Sequence, residues 1–199
     1  MVKARIAVLV SGGGTNLQAL IDAQKSGIIK SGEITLVISN KKDAFALKRA
    51  ENANIKTAVI EKNGDQKRFE ADIITALHEN KTDIIVLAGF MCILSGEFTS
   101  KYENRILNVH PSLIPSFCGE GFYGLRVHKA VLDYGVKVTG ATVHFVNEIP
   151  DGGKIILQKA VNIEEGDTPE ILQKRVMEQA EWKILPEAVE KISKTFVKE

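Results

Sequence analysis

The sequence predicts an α/β fold: an open, mostly parallel sheet flanked by helices, with an antiparallel edge at its C-terminal end. Three observations carry this. Apolar runs of strand length alternate with helical stretches through the first half of the chain, which is the pattern of βαβ units. The first run, Arg5 to Val10, is continuously apolar after its arginine, as in strands buried on both faces of a parallel sheet. After residue 120 the texture changes, and two runs are joined by Pro150-Asp151-Gly152-Gly153, a turn that returns the chain antiparallel to itself.

Taken in order, the Arg5 to Val10 strand ends in Ser11-Gly12-Gly13-Gly14-Thr15-Asn16 and passes into a helical pattern of Leu17, Ala19, Leu20, Ile21 and Ala23. A second strand spans Glu33 to Asn40, followed by a helix from Ala44 to Asn54. A third spans Lys56 to Ile60, followed by a helix from Asp65 to Glu79. Asp83 to Ala88 and Ile106 to Val109 are the fourth and fifth strands. Right-handed crossovers between parallel strands put helices on both faces. Beyond residue 120 come a short helix near Val127 to Tyr134 and strands over Val138 to Val146 and Lys154 to Asn162. The last helix opens at Asp167-Thr168-Pro169-Glu170, with proline in its first turn. It runs to Lys194, and Pro186 is expected to kink or interrupt it. No repeat, low-complexity segment or linker divides the chain, so residues 1–199 read as a single domain.

Bulk properties exclude several functions. The 26 basic and 25 acidic residues are mixed along the chain for a net charge of +1, unlike the basic stripe of a nucleic-acid binder. The longest apolar runs, such as Ile6 to Val10 and Ile84 to Ala88, are too short to span a membrane. Met1-Val2-Lys3-Ala4-Arg5 leads directly into the first strand and leaves no room for the apolar region of a signal peptide. Cys92 and Cys118 lack metal-ligand spacing and read as reduced structural cysteines. The expectation is a cytoplasmic protein.

Three glycines between a first strand and a helix form a backbone-amide cradle suited to an anion. Thr15 and Asn16 add side-chain donors. A dinucleotide site fits poorly, because Leu17 stands where a third fingerprint glycine belongs and Asn40-Lys41-Lys42 replaces the acidic residue after the second strand. Without a Gly-Lys-Ser/Thr sequence a P-loop is excluded. A single phosphomonoester suits the loop better than a pyrophosphate, and a purely structural tight turn is the bland alternative.

Ile106, Leu107 and Val109 end a buried strand where Pro111 and Pro115 force the chain out of the sheet. Asn108 and His110, two residues apart, therefore point to the same side at a strand end. Histidine exchanges protons near neutral pH, and an asparagine amide can donate to a developing oxyanion. A strand-end pair satisfied by loop backbone is the bland alternative. Asp151 by itself is an ordinary turn aspartate, but the strand before it is the natural sheet neighbour of the one bearing His110.

Together these residues resemble a known family. Asn108-Val109-His110-Pro111-Ser112-Leu113-Ile114-Pro115, Thr142-Val143-His144-Phe145-Val146, and Asp151-Gly152-Gly153 some 41 residues beyond His110 resemble the formyltetrahydrofolate-dependent formyltransferases. Ser11 to Asn16 and Ala88-Gly89-Phe90-Met91 narrow the resemblance to members that formylate the amine of 5-phosphoribosylglycinamide in purine synthesis. The resemblance covers essentially the whole length. It implies a Rossmann-like formyltransferase fold, with residues 1–105 as the phosphate-binding half and 106–199 as the catalytic and folate-binding half. It implies 10-formyltetrahydrofolate as cosubstrate, no metal and no covalent enzyme intermediate, with a homodimer as a possible assembly. Asn108 would donate to the oxyanion. His110 would act as general acid and base. Asp151 would favour imidazolium and order a bridging water.

The same resemblance assigns the substrate to Gly13, Gly14, Thr15, Asn16, Glu178 and Glu181. In the last helix Met177, Glu181 and Leu185 recur at four-residue steps, so Glu181 shares a face with apolar residues and needs a partner there. That partner is either a structural Lys or Arg or the substrate's ribose hydroxyls or glycinamide. The cosubstrate falls to Met91, Cys92, Ile93 and Leu94, and to Asn108, Val146, Asn147, Glu148 and Asp151. Family members often carry arginine where Cys92 stands, so a contact to folate is lost here or supplied elsewhere, with Lys67 or Arg68 as candidates. The loop from Cys118 to Arg126, with three glycines around Phe122 and Tyr123, looks either like a mobile flap or like an inert surface loop. His78, His128 and His144 receive no role. A formyltetrahydrofolate hydrolase is the nearest alternative and should carry an extra N-terminal domain and lack the Ser11 to Asn16 loop. A methionyl-tRNA formyltransferase would need a further tRNA-binding domain, and a non-catalytic binding module would predict a broken Asn-His-Asp set.

Overall fold

A computed structural model describes residues 2–197. Seven strands form one sheet in the order β3-β2-β1-β4-β5-β6-β7. The parallel part comprises β1 (Ala4–Val10), β2 (Gly32–Ser39), β3 (Lys56–Val59), β4 (Ile84–Leu87) and β5 (Ile106–His110). Both β6 (Val138–Phe145) and β7 (Ile155–Asn162) run antiparallel to their neighbours, which is the expected C-terminal edge. The burial pattern explains the order. Every residue of β1 except Arg5 is buried, as a central strand requires, whereas β7 is mostly exposed, as suits an edge.

Alternation along β1 divides the core. Ile6, Val8 and Val10 face a layer made by α1 (Thr15–Lys25), α2 (Phe45–Asn52), α5 (Leu125–Tyr134), α6 (Pro169–Val176) and α7 (Trp182–Ser193). Ala7 and Leu9 face α3 (Gln66–Glu79) and α4 (Gly96–Lys101). The chain builds outward from β1 to β3, then returns through α3 to β4 on the other side of β1. Right-handed crossovers then require α1 and α2 on one face and α3 on the other. The crevice between the C-terminal ends of β1 and β4 is thus the switch point at which open α/β sheets hold ligands.

Two elements differ from the sequence expectation. The helix α4 was not anticipated, because six residues are too few to show an apolar period. Ser95 caps it, its hydroxyl accepting from the Phe98 N–H at 3.1 Å. The last helix is interrupted by a π-type turn over Met177–Glu181, while Pro186 sits inside α7 and is buried. Leu172, Val176, Ala180 and Ile184 are buried at steps of four, and Glu181, Leu185 and Val189 form a second buried row beside them. The buried face thus widens from Ala180 onward and includes Glu181.

His128, on α5, is fully buried and neither ring nitrogen has a hydrogen-bond partner. Burial, with a smaller contribution from His110, pushes its pKa down to about 4. The folded state therefore keeps a neutral ring at pH values where the unfolded chain binds a proton, so stability falls as pH drops below about 6.5. Between pH 7.5 and pH 5 this single group removes about 2 kcal/mol. Urea unfolding of wild type and His128→Leu at the two pH values checks this: the variant is expected to lose about 2 kcal/mol less on acidification.

Candidate active site

The glycine loop follows from two peptide planes. The Gly12 carbonyl accepts from the Ala46 N–H at 3.0 Å, and the Gly13 carbonyl accepts from Arg49 Nε at 2.8 Å. Across a trans peptide the next N–H points the opposite way, so the amides of Gly13 and Gly14 turn away from α2. They join the N–H groups of the first turn of α1, whose helical bonding begins with Gln18 N–H to the Gly14 carbonyl. Gly14 caps this helix in the left-handed region at φ 71°. A Cβ there would also stand 2.6 Å from the Ala46 Cβ, so glycine is required twice over. Added Cβ atoms on Gly12 or Gly13 would meet no protein atom, leaving open space above the cradle. Thr15 is exposed at its rim.

Asn16, in the first turn of α1, reaches across the chain: its Nδ2 donates to Glu181 Oε2 at 2.7 Å. The inward carboxylate expected on the last helix thus has an amide partner rather than a lysine or arginine. Burial pushes the Glu181 pKa up to about 6 against the opposing pull of the Asn16 bond, while Asn16 Oδ1 is buried without a partner. Glu178 does not join this pair. It is exposed and lies 3.8 Å from Lys174 Nζ.

The second centre forms where β5 and β6 meet. Asn108 pairs with His144 and His110 with Thr142 in the antiparallel register, so the side chains of Asn108, His110 and His144 gather on one side. The turn before β7 brings Asp151 to them. Its carboxylate places Oδ2 at 3.3 Å from His110 Nδ1 and Oδ1 at 3.5 Å from His144 Nε2, and Oδ2 accepts the Gly119 N–H at 2.9 Å. Asp151 itself has φ 56°, a left-handed conformation that aspartate tolerates better than most residues. Gly153 allows the turn to close, since a Cβ on it would stand 1.7 Å from the Phe145 carbonyl oxygen.

Carbonyl partners fix the proton on each imidazole. His110 Nε2 lies 2.8 Å from the Phe117 carbonyl oxygen. A carbonyl only accepts, so Nε2 carries the hydrogen and Nδ1, facing Asp151, is the nitrogen that exchanges protons. Burial lowers the His110 pKa, and outweighs the upward pull of Asp151 and of the Phe117 bond. The ring is therefore neutral at neutral pH and ready to accept a proton. Burial works against ionisation of Asp151, but the adjacent His144, the nearby His110 and the Gly119 amide together hold its carboxyl below the usual range. The contact between His110 Nδ1 and Asp151 Oδ2 is direct, at 3.3 Å.

A pocket opens beside these groups, lined by Leu87, Phe90, Cys92, Ile93, Leu94, Asn108, His144 and the segment 146–151. It contains every residue expected for the cosubstrate except Met91, which is 55% exposed and whose N–H instead donates to Ser11 Oγ at 2.8 Å. Cys92 Sγ receives the Asn40 amide at 3.1 Å. Of the substitutes considered for the missing arginine, Arg68 lines a separate open cleft of about 660 Å³ between β3 and α3. That larger cleft is bordered by exposed side chains and contains none of the clustered titratable groups. The loop after Cys118 is anchored by the Gly119 bond and by Phe117 and Phe122, which pack on the core. Sequence reasoning gave His144 no role, yet the structure brings it beside Asn108 and Asp151. Its register opposite Asn108 was the available signal, and it is readable only once β5 and β6 are paired. No helix among the described residues is long and apolar enough to cross a membrane.

Comparison with known proteins agrees with this geometry. The formyl transferase family model matches residues 4–189. The chain is 45% identical over 184 residues to phosphoribosylglycinamide formyltransferase of Haemophilus influenzae, covering 92% of this chain and 84% of that protein. It is 48% identical over 198 residues to the trifunctional purine biosynthetic protein adenosine-3 of Bos taurus, spanning 98% of this chain but only 19% of that protein. The crystal structure of glycinamide ribonucleotide transformylase 1 from Symbiobacterium toebii superposes with a TM-score of 0.90 at 40% identity, over 99% of this chain and 91% of that one. The chain belongs to the formyl transferase family.

Proposed function

We propose that this protein transfers a formyl group from 10-formyltetrahydrofolate to the glycine amine of 5-phosphoribosylglycinamide, giving the N-formyl product and tetrahydrofolate. The observation that carries the reading is the Asn108-His110-Asp151 cluster beside an apolar pocket, with an amide cradle across the switch point. The cradle at Gly13, Gly14, Thr15 and Asn16 suits the phosphate of the amine substrate. The buried Glu181 carboxylate and the unpartnered Asn16 oxygen suit its hydroxyl or amide donors. The pocket between Leu87, Leu94 and Val146 suits a flat ring with polar edges, which the backbone of 146–150 can pair.

Reaction at this site begins when the amine nitrogen forms a bond to the formyl carbon and the carbonyl electron pair moves to oxygen. Asn108 Nδ2 donates to that oxyanion, in the place where a preorganised donor lowers the barrier most. His110 Nδ1 takes the proton released by the amine and becomes imidazolium, a charge that the Asp151 carboxylate at 3.3 Å stabilises. On collapse the bond between carbon and N10 breaks, and His110 returns its proton to N10. Tetrahydrofolate leaves, and the ring is neutral again.

Release of tetrahydrofolate, followed with and without the amine substrate, tests this directly. Turnover is expected only with the amine. His110→Ala and Asp151→Asn are expected to lower kcat by about 10²- to 10⁴-fold. Because His110 must be neutral to act as base and its pKa is lowered by burial, wild-type kcat/KM is expected to hold through pH 6.5 and fall only at lower pH. Folate release without the amine would identify a hydrolase instead. Gly13→Ala separates ligand binding from folding: it is expected to leave the unfolding free energy within about 0.5 kcal/mol of wild type while raising KM for the phosphorylated amine about tenfold or more. An unchanged KM would remove the anion from the cradle.

A further inference from the structure

His144 has a defined hydrogen on one nitrogen and a defined task for the other. Its Nδ1 lies 2.7 Å from the Phe145 carbonyl oxygen. That oxygen can only accept, so Nδ1 carries the hydrogen and Nε2 of the neutral ring is a bare acceptor. Asn108 Nδ2, which can only donate, lies 3.2 Å from this Nε2. The pairing dictates which way the Asn108 amide faces, because the flipped amide would set Oδ1 against the Nε2 lone pair. One Nδ2 hydrogen is thereby spent on His144 and the other is left to point elsewhere. The ring is well placed to hold this orientation: its side chain is 2% exposed and its backbone is paired on both sides in β6.

We propose that His144 is a positioning residue for formyl transfer, its Nδ1-protonated ring holding the Asn108 amide so that the remaining N–H faces the developing oxyanion. The inference rests on Asn108 being the oxyanion donor in the reaction proposed above. A side chain that orients a donor used only in the transition state acts on kcat and leaves ground-state binding nearly untouched. It also has no separate effect once the donor is gone.

Both consequences are measurable in the full-length protein. His144→Leu removes the acceptor, whereas His144→Gln keeps one near the position of Nε2. His144→Leu is expected to lower kcat at least 30-fold with both KM values within threefold, and His144→Gln to recover most of that loss. In the Asn108→Ala background, His144→Leu is expected to lower kcat less than threefold further. A kcat for His144→Gln no higher than for His144→Leu, or losses that multiply in the double variant, would overturn the proposal. A measurement on unaltered protein needs no variant to fold: the ¹⁵N shifts of the His144 ring should show hydrogen on Nδ1 and a bare Nε2, and the opposite tautomer would also overturn it. If wild type shows no amine-dependent turnover, the proposed reaction fails while the ring shifts still report the tautomer. If wild type turns over and the kcat pattern is absent, it is the role of His144 that fails.

Discussion

One carboxylate joins the parts of this molecule that would otherwise have no reason to meet. Asp151 is only 13% exposed, and an ion withdrawn from water so far needs partners. The Gly119 amide in the loop after Phe117 donates to it, and His110 at the end of β5 and His144 on β6 bring ring nitrogens to 3.3 and 3.5 Å of it. Its own backbone is held in the left-handed region, and Gly153 lets the turn press against Phe145. Conformational strain of this kind persists where the surroundings over-determine it. The loop that sequence alone could read as a flap is accordingly tied down at its first glycine.

The sheet topology explains why two ligand sites share one crevice. Reversal of strand order at β1 and β4 leaves a gap above their C-terminal ends, and the loops leaving these strands border it. They are fastened together by the Met91 N–H to Ser11 Oγ bond, so the amide cradle and the pocket wall are set relative to each other. The Asn16 to Glu181 bond then ties the cradle to the last helical segment, 165 residues away. Glu181 makes this contact from the last position of the π-type turn over Met177–Glu181.

Most of the fold was legible because it rests on local patterns. Continuous apolar runs marked the central strands, and Thr168 with Pro169 marked the start of α6. Boundaries moved by no more than two residues, while α4 and the helix break were missed. Six residues are too few to show a period. Pro186 promised a break at its own position, but α7 contains it on a buried face and the irregularity lies one turn earlier. Within the site, Asn108, His110 and Asp151 were legible from spacing and resemblance. The role open to His144 was not, because it comes from strand register and from a carbonyl that no sequence pattern specifies. Glu178, which the resemblance grouped with Glu181, lies apart from it on the helix surface beside Lys174.

The two histidines flanking Asp151 show how backbone carbonyls divide the chemistry between chemically identical groups. Each has one nitrogen committed to a carbonyl, but to opposite nitrogens: Nε2 to Phe117 in His110 and Nδ1 to Phe145 in His144. The free nitrogen of His110 faces a carboxylate and nothing that donates to it, so its lone pair is available until a proton arrives, and the resulting charge is then stabilised at once. The free nitrogen of His144 already accepts from Asn108, and protonating it would break that bond. His128, its pKa lowered by burial and by the nearby His110, has no partner at all and stays neutral in the core. Of the two histidines flanking Asp151, only His110 can gain a proton without losing a hydrogen bond. Proton transfer therefore falls to His110 because of where the neighbouring carbonyls and donors stand, and any rearrangement of the 111–117 loop that moved the Phe117 carbonyl would reassign it.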